Sequence, residues 1–294
     1  SSDVARKDSS ELRDAALAAL GYQEFGEELE GPIEKGVVAH DPARVSPGPI
    51  LICSRSRSRA ALVDPSGEVI FRWALPAGQR SKGWLHVELA ANGDLIVLER
   101  DKRVSRIEPD GSLSWRIELA GHHDLHELED GSFLVLELDP VRRGGLQIAC
   151  SNLTRIGADG AILNRTSILD LYGDAESRLP EGDSIDAGIA AERRRLAEAG
   201  FSEPPVERTF LDFFHANCVV PVGPALSDHT DGRWAPDDWL VCLRNRDRVL
   251  VVRLGEERVV DAFGSDLLDA PHHPTPLPDG SVLIYDNGKR REAT

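Results

Sequence analysis

The chain reads as an all-β protein, a β-propeller of four-stranded antiparallel blades, and three observations carry that expectation. Short alternating apolar runs are separated by Asn-Gly, Asp-Gly and Asp-Lys pairs, residues that accept the positive φ of a tight turn. The runs recur in units of about 35 to 45 residues, and stacking such units radially protects their edges and leaves an axial channel. Finally, His123 and His272 each precede a turn glycine by eight residues, Gly131 and Gly280. Imidazoles are therefore expected around a common centre.

Residues 1–35 are expected to be a lead-in, with a helix over 9–20 that starts at a serine cap and stops at Gly21. The propeller is expected to occupy 36–294. Its first copy runs from Ile50 to Leu75, with Asp64-Pro65-Ser66-Gly67 as its clearest turn. The second starts at Leu85 and holds four runs, separated at Asn92-Gly93, Asp101-Lys102 and Asp110-Gly111. A third opens at His122 and resumes near Leu153. Residues 183–203 carry a helical pattern after Asp183-Ser184 and before Pro204-Pro205, which places a helix in the next connection. That insertion is either a solvated connection or a lid over the channel mouth. The fourth copy starts at His215. A fifth opens at His272 and is followed to Thr294 for about two strands.

Composition narrows the partners. With 50 acidic and 34 basic residues the net charge is −16, and no basic stripe is visible, so nucleic acid is not an expected partner. No apolar run reaches the length of a membrane span. The chain contains no methionine and opens SSDVARKDSS, so a targeting segment removed ahead of Ser1 is expected. Cys53, Cys150, Cys218 and Cys242 lack the spacing of zinc or redox motifs. Cys218 and Cys242 fall on adjacent strands, as a disulfide or as two buried thiols.

The segments HHDLHELEDGSFLVLE, DFFHANCVV, WLVCLRNRDRVLVV and PHHPTPLPDGSVLIYDNG, in this order and spanning about Gly36 to Arg290, resemble the bacterial arylsulfate sulfotransferase family. The resemblance implies a six-bladed propeller, outside the cytoplasm in the periplasm, that moves a sulfuryl group from an aryl sulfate to a phenol with no nucleotide donor and no cofactor. It also implies a histidine that is transiently sulfurylated, helped by two further histidines and an arginine. Carried onto this chain, the nucleophile falls on His272, the partner histidines on His215 and His123, and the arginine on Arg244. Asn217, His273 and His122 become candidate substrate-binding residues. Either member of the doublets His272/His273 and His122/His123 can fill its place. The family pattern continues past the Asp286-Asn287-Gly288 segment into a further blade and a half, which this sequence does not show.

The residue types suit that chemistry. A neutral imidazole is nucleophilic near pH 7, and a covalent intermediate divides one transfer into two steps. A guanidinium matches two sulfuryl oxygens at once, and a second imidazole can carry the phenol proton. Asp124 and Asp212 either orient neighbouring histidines or cap turns. His40, His86 and His229 read as structural, Arg246 and Arg248 make Arg244 also readable as part of a charged hairpin, and the sequons at Asn152 and Asn164 as chance. Two other classes remain open on the residues alone: a metal-dependent enzyme built on axial histidines, and a propeller that only binds partners. The resemblance itself calls for no metal.

Overall fold

The protein is described from a computed structural model that covers residues 36, 37, 39–176, 184–201 and 210–291. The helix expected over 9–20 lies outside the described residues.

Among the described residues five sheets follow one another along the chain, and a sixth, small one sits among their connections. The first holds β1 (Ile50–Cys53), β2 (Arg59–Val63) and β3 (Val69–Ala74); the second β4 (Trp84–Leu89), β5 (Leu95–Glu99), β6 (Arg103–Ile107) and β7 (Leu113–Glu118). In the third, β8 (Gly121–Glu127) and β9 (Phe133–Leu138) are separated in sequence from β12 (Ser151–Ile156) and β13 (Ile162–Ser167) by a small hairpin, β10 (Val141–Arg143) and β11 (Leu146–Ile148). Two helices follow, α1 (Ile168–Ala175) and α2 (Ile185–Glu198), then β14 (Phe210–Leu211), which pairs in parallel with β11. The fourth sheet is β15 (Ala216–Pro221), β16 (Trp239–Leu243), β17 (Arg248–Arg253) and β18 (Arg258–Phe263), with the short α3 (Gly223–Asp228) in its first connection. The fifth is the pair β19 (Pro271–Pro276) and β20 (Val282–Asp286).

The cores show why the sheets stack radially. Side chains alternate along a strand, so Leu134 and Leu136 of β9 face the fourth sheet, while Phe133 and Val135 face the second. Trp73 and Ala60 join Trp84, Leu95 and Val97 between the first two sheets, and Leu240, Val249 and Val251 meet Val282 and Ile284 between the last two. The central strands β5, β9, β16 and β17 are thus covered on both faces. That explains why β5, β9, β16 and β17 read as continuous apolar runs and not as alternating ones. The inner strands β4, β8, β15 and β19 lie side by side and line the channel. The whole is a β-propeller arrangement.

Two details correct the sequence reading. The first copy forms three strands among the described residues, not four. The turn closed by Gly67 N–H to Asp64 O matches the third-to-fourth-strand turns at Gly111 and Gly160, so β1 to β3 correspond to strands two to four of a blade. The β10–β11 hairpin was also not anticipated, because Val141–Arg143 is exposed and carries no alternating pattern. The expected helix in the connection forms at Ile185–Glu198, capped by the Ser184 hydroxyl, which accepts from Ala187 N–H. It packs Ile185, Ile189 and Leu196 into the core that also holds Phe213 and Phe214, just ahead of His215.

Candidate active site

Each inner strand breaks register near its start. The pairing shifts between Trp84 and His86, Gly121 and Leu125, Ala216 and Cys218, and His272 and Thr275. Such bulges interrupt the simple alternation of faces and re-aim side chains. His123, His215, Ala270 and His273 have φ of 55°, 47°, 56° and 55°, a left-handed conformation that costs a non-glycine residue about 1 kcal/mol or more. The channel end of the strands is therefore strained where the histidines stand.

Three sheets bring imidazoles together there. The ring centroids of His123 and His215 are 5.1 Å apart, and those of His215 and His272 6.4 Å. Each ring has a partner behind it. His215 Nδ1 is 2.5 Å from Asp212 Oδ2, and the His215 backbone N–H donates to the other oxygen of that carboxylate at 3.1 Å. His272 Nδ1 is 3.2 Å from Ala270 O and 2.8 Å from Asn287 Nδ2. His123 Nδ1 is 2.8 Å from His122 Nδ1, and His122 Nε2 is 2.9 Å from Ser151 Oγ.

Arg244 opens a 3₁₀ turn, Arg244–Arg246, directly after β16. Its backbone N–H donates to His215 O at 3.2 Å, which ties the arginine to the histidine, and its Nη1 donates to Asn245 Oδ1 at 2.9 Å. Asn245 Nδ2 donates in turn to Asp212 O at 2.6 Å. The charged hairpin divides on inspection: Arg246 lies over the Phe213 ring, 4.1 Å from its centroid, and Arg248 is buried.

The electrostatics favour neutral rings. Burial holds His123 well below the ordinary imidazole range, and His122, His215, His272 and the Arg244 cation push in the same direction. His272 is lowered for the same first reason, opposed by its bond to Ala270 and assisted by His215 and Arg244. His122 is fully buried and is brought down to about 3 by desolvation, with His215 contributing. The Arg244 charge is thus a minor cause of the lowering at both His123 and His272, after burial.

His123, His215, His272 and Arg244 thus form one cluster. His122 stands behind it, buried against Ser151. Asn217 is also buried, and its Nδ2 donates to Pro271 O at 2.9 Å, joining the fourth and fifth inner strands. His273 points elsewhere, to a group with Asp124 and Cys218, so the two members of that doublet serve different neighbourhoods. Asp212 orients His215, whereas Asp124 stands 3.7 Å from His86 Nε2. Cys218 and Cys242 are directly opposed in register, and both are free thiols. Sequence reasoning passed over Asn245, Asn287 and Ser151, since nothing in their neighbours marks them as supports.

No family model and no curated protein matches the chain. Among solved structures it is similar to a protein of unknown function from Bacteroides caccae, at 16% identity and TM-score 0.47 over 81% of this chain and 65% of that one. It is also similar to a streptogramin B lyase, at 12% and 0.47 over 84% and 60%, and to dihydro-heme d1 dehydrogenase NirN, at 14% and 0.41 over 90% and 44%. The chain spans less than two thirds of the length of each. Likeness at this level says nothing about chemistry, and the propeller assignment rests on the sheets and cores described above. Fold and site together give a β-propeller in which imidazoles from three sheets meet at the start of the inner strands, with Arg244 tied by its backbone to His215.

Proposed function

We propose that this cluster transfers a sulfuryl group from an aryl sulfate to a phenol through a sulfohistidine at His272, as the arylsulfate sulfotransferase family does. The observation that supports this reading is the convergence of three half-buried imidazoles, His123, His215 and His272, beside Arg244. In the attacking tautomer His272 carries its proton on Nδ1 and gives it to Ala270 O, so the Asn287 amide group 2.8 Å from the same nitrogen does not donate to it there, and the lone pair is on Nε2. That lone pair attacks sulfur; an N–S bond forms, the S–O bond to the aryl group breaks, and phenolate leaves with the electron pair. Asp212 fixes the proton of His215 on Nδ1, so His215 Nε2 is available to exchange a proton with the leaving or entering phenol. In the second half the acceptor phenol gives up its proton, its oxygen attacks sulfur, and the N–S bond returns its electrons to His272. Arg244 holds the equatorial sulfuryl oxygens, whose charge rises in flight. The test is to incubate the protein with a chromogenic aryl sulfate and measure phenol release and intact mass. One equivalent of phenol released in a burst and one sulfuryl group added, both lost in His272→Ala, support the reading; absence of both in the unaltered protein rejects it.

A further inference from the structure

A second set of side chains meets in the channel, and sulfuryl transfer uses none of it. His86, Asp124, Cys218 and His273 come from β4, β8, β15 and β19. Each stands four residues before the one whose N–H closes the turn at the end of its strand: Ala90 to Asp94 O, Leu128 to Ser132 O, Val222 to Asp238 O and Leu277 to Ser281 O, all at 2.8 Å. They are therefore one position of the repeat, presented four times around the axis. The residues one place earlier are Leu85, His123, Asn217 and His272, so two of the transfer cluster and this set occupy successive places on the same strands.

Equivalent positions on adjacent inner strands bring their side-chain ends together. One ligand atom each from Asp124, Cys218 and His273 lie within 4.8 Å of one another, and His86 Nε2 is 3.7 Å from Asp124 Oδ1. The carboxylate is aimed by the backbone: its Oδ2 accepts from Val219 N–H at 2.9 Å and its Oδ1 from Leu125 N–H at 3.1 Å. Ligating carboxylates are commonly oriented in this way. Asp124 and Cys218 are buried and His273 is exposed, which leaves a way in from the channel.

We propose that His86, Asp124, Cys218 and His273 bind one divalent transition-metal ion of the zinc class in tetrahedral geometry. With metal–sulfur bonds of about 2.3 Å and metal–nitrogen or metal–oxygen bonds of about 2.1 Å, neighbouring ligand atoms in such a site are about 3.4 Å apart. The three grouped atoms must draw in by about an ångström, and His86, which borders Asp124 but stands outside that group, must turn in to supply the fourth bond. Two neutral imidazoles, a carboxylate and a thiolate together balance the ion's two positive charges. On binding, the Cys218 thiol gives its proton to solvent and its sulfur pair to the metal. Imidazole and thiolate select zinc or cobalt over magnesium or calcium, which prefer oxygen. Cys242, opposite Cys218, has its thiol turned to Pro271 O at 3.3 Å and takes no part.

The site does not rest on the sulfuryl-transfer reading, and its readout is spectroscopic. The full chain is treated with chelator and titrated with cobalt(II), and the visible and near-ultraviolet spectrum is followed. One equivalent should produce the strong visible bands of a tetrahedral centre and a thiolate-to-cobalt charge-transfer band, and zinc should displace both. Cys218→Ser should remove the charge-transfer band, while Cys150→Ser, at a buried thiol between β11 and β12, should leave it. His273→Ala, at an exposed position, should weaken binding by about 10- to 100-fold and decides the matter if Cys218→Ser fails to fold. No stoichiometric uptake, the weak spectrum of an octahedral ion, a charge-transfer band that survives Cys218→Ser in folded protein, or unaltered affinity in His273→Ala would each overturn the proposal.

Discussion

His123 and His272 belong to one neighbourhood of the channel, and Asp124 and His273, the next residues along the same strands, to another. The first neighbourhood holds three imidazoles next to Arg244, with Asp212, Asn245, Asn287 and Ser151 as supports. The second holds a buried carboxylate fixed by two backbone amides, beside a thiol and two imidazoles. Burial pushes the Cys218 thiol far above its usual range, and the Asp124 charge adds to this, whereas the imidazoles next door are pushed down. Burial is the first cause of both shifts and favours the uncharged form of each group; what differs a residue apart is the neighbouring charge, Asp124 for Cys218 and Arg244 for His123 and His272. The bulges allow it, since a regular strand would send neighbouring side chains to opposite faces.

The contrast can be broken most severely at His272. His272→Ala should reduce aryl sulfate turnover on the order of 10⁴-fold, because the group that carries the intermediate is gone; single-turnover phenol release measures it. Arg244→Ala should lower kcat by about 10²- to 10³-fold, and Arg244→Lys should recover part of it, since an ammonium restores charge without the two-pronged geometry. Asp212→Asn should lower kcat by roughly 10- to 100-fold and KM little, because it frees the His215 ring from its tautomer; initial-rate kinetics on the three variants order the supports.

Stability against pH sharpens the same contrast. His122 is depressed to about 3 in the folded protein, so below about pH 6.5 the unfolded chain takes up a proton that the folded one refuses. Stability should be complete above pH 6.5 and fall as pH drops toward 3. His122→Gln should flatten that slope by about 2 to 4 kcal/mol between pH 7 and 4, as read from urea midpoints. Glu88, two residues past His86, behaves in the opposite way: burial first, then Asp124 and Glu127, raise its carboxyl to about 7. Its folded pKa lies above the unfolded value, so its contribution is present at low pH and is lost as pH rises through 7. Glu88→Gln should stabilise the protein by about 1 to 2 kcal/mol at pH 8 and hardly at all at pH 4.

Much of the architecture was legible because turn chemistry and burial coincide. Gly93, Lys102 and Gly111 all adopt the positive φ that their turn signals implied, and the two-sided runs LIVLE and FLVLEL could only be central strands. The β10–β11 hairpin and the three-stranded first sheet were not legible, since neither changes the apolar pattern. At the site, His123, His215 and His272 stood out by spacing and order. What could not be read was the direction of each side chain, which depends on bulges that alter register by one residue. His86 and Cys218 were set aside for that reason, although their common distance from a turn amide was available: Ala90 and Val222 occupy the places of Leu128 and Leu277. The pairs Arg116 with Glu99 at 2.8 Å and Arg165 with Glu137 at 2.6 Å, each on a buried carboxylate, recur at matching places in two sheets, and only the three-dimensional register shows them as a shared device.

The left-handed backbone at His123, His215 and His273 has a consequence for how this protein tolerates mutation. When variants are selected for folded abundance alone, glycine and asparagine should be enriched at these three positions over histidine, because they relax the backbone there. When they are selected for chemistry or ligand binding, histidine should return. A residue whose replacement improves the fold while abolishing the task separates the two pressures in a single library, and the rim of this channel offers three such residues.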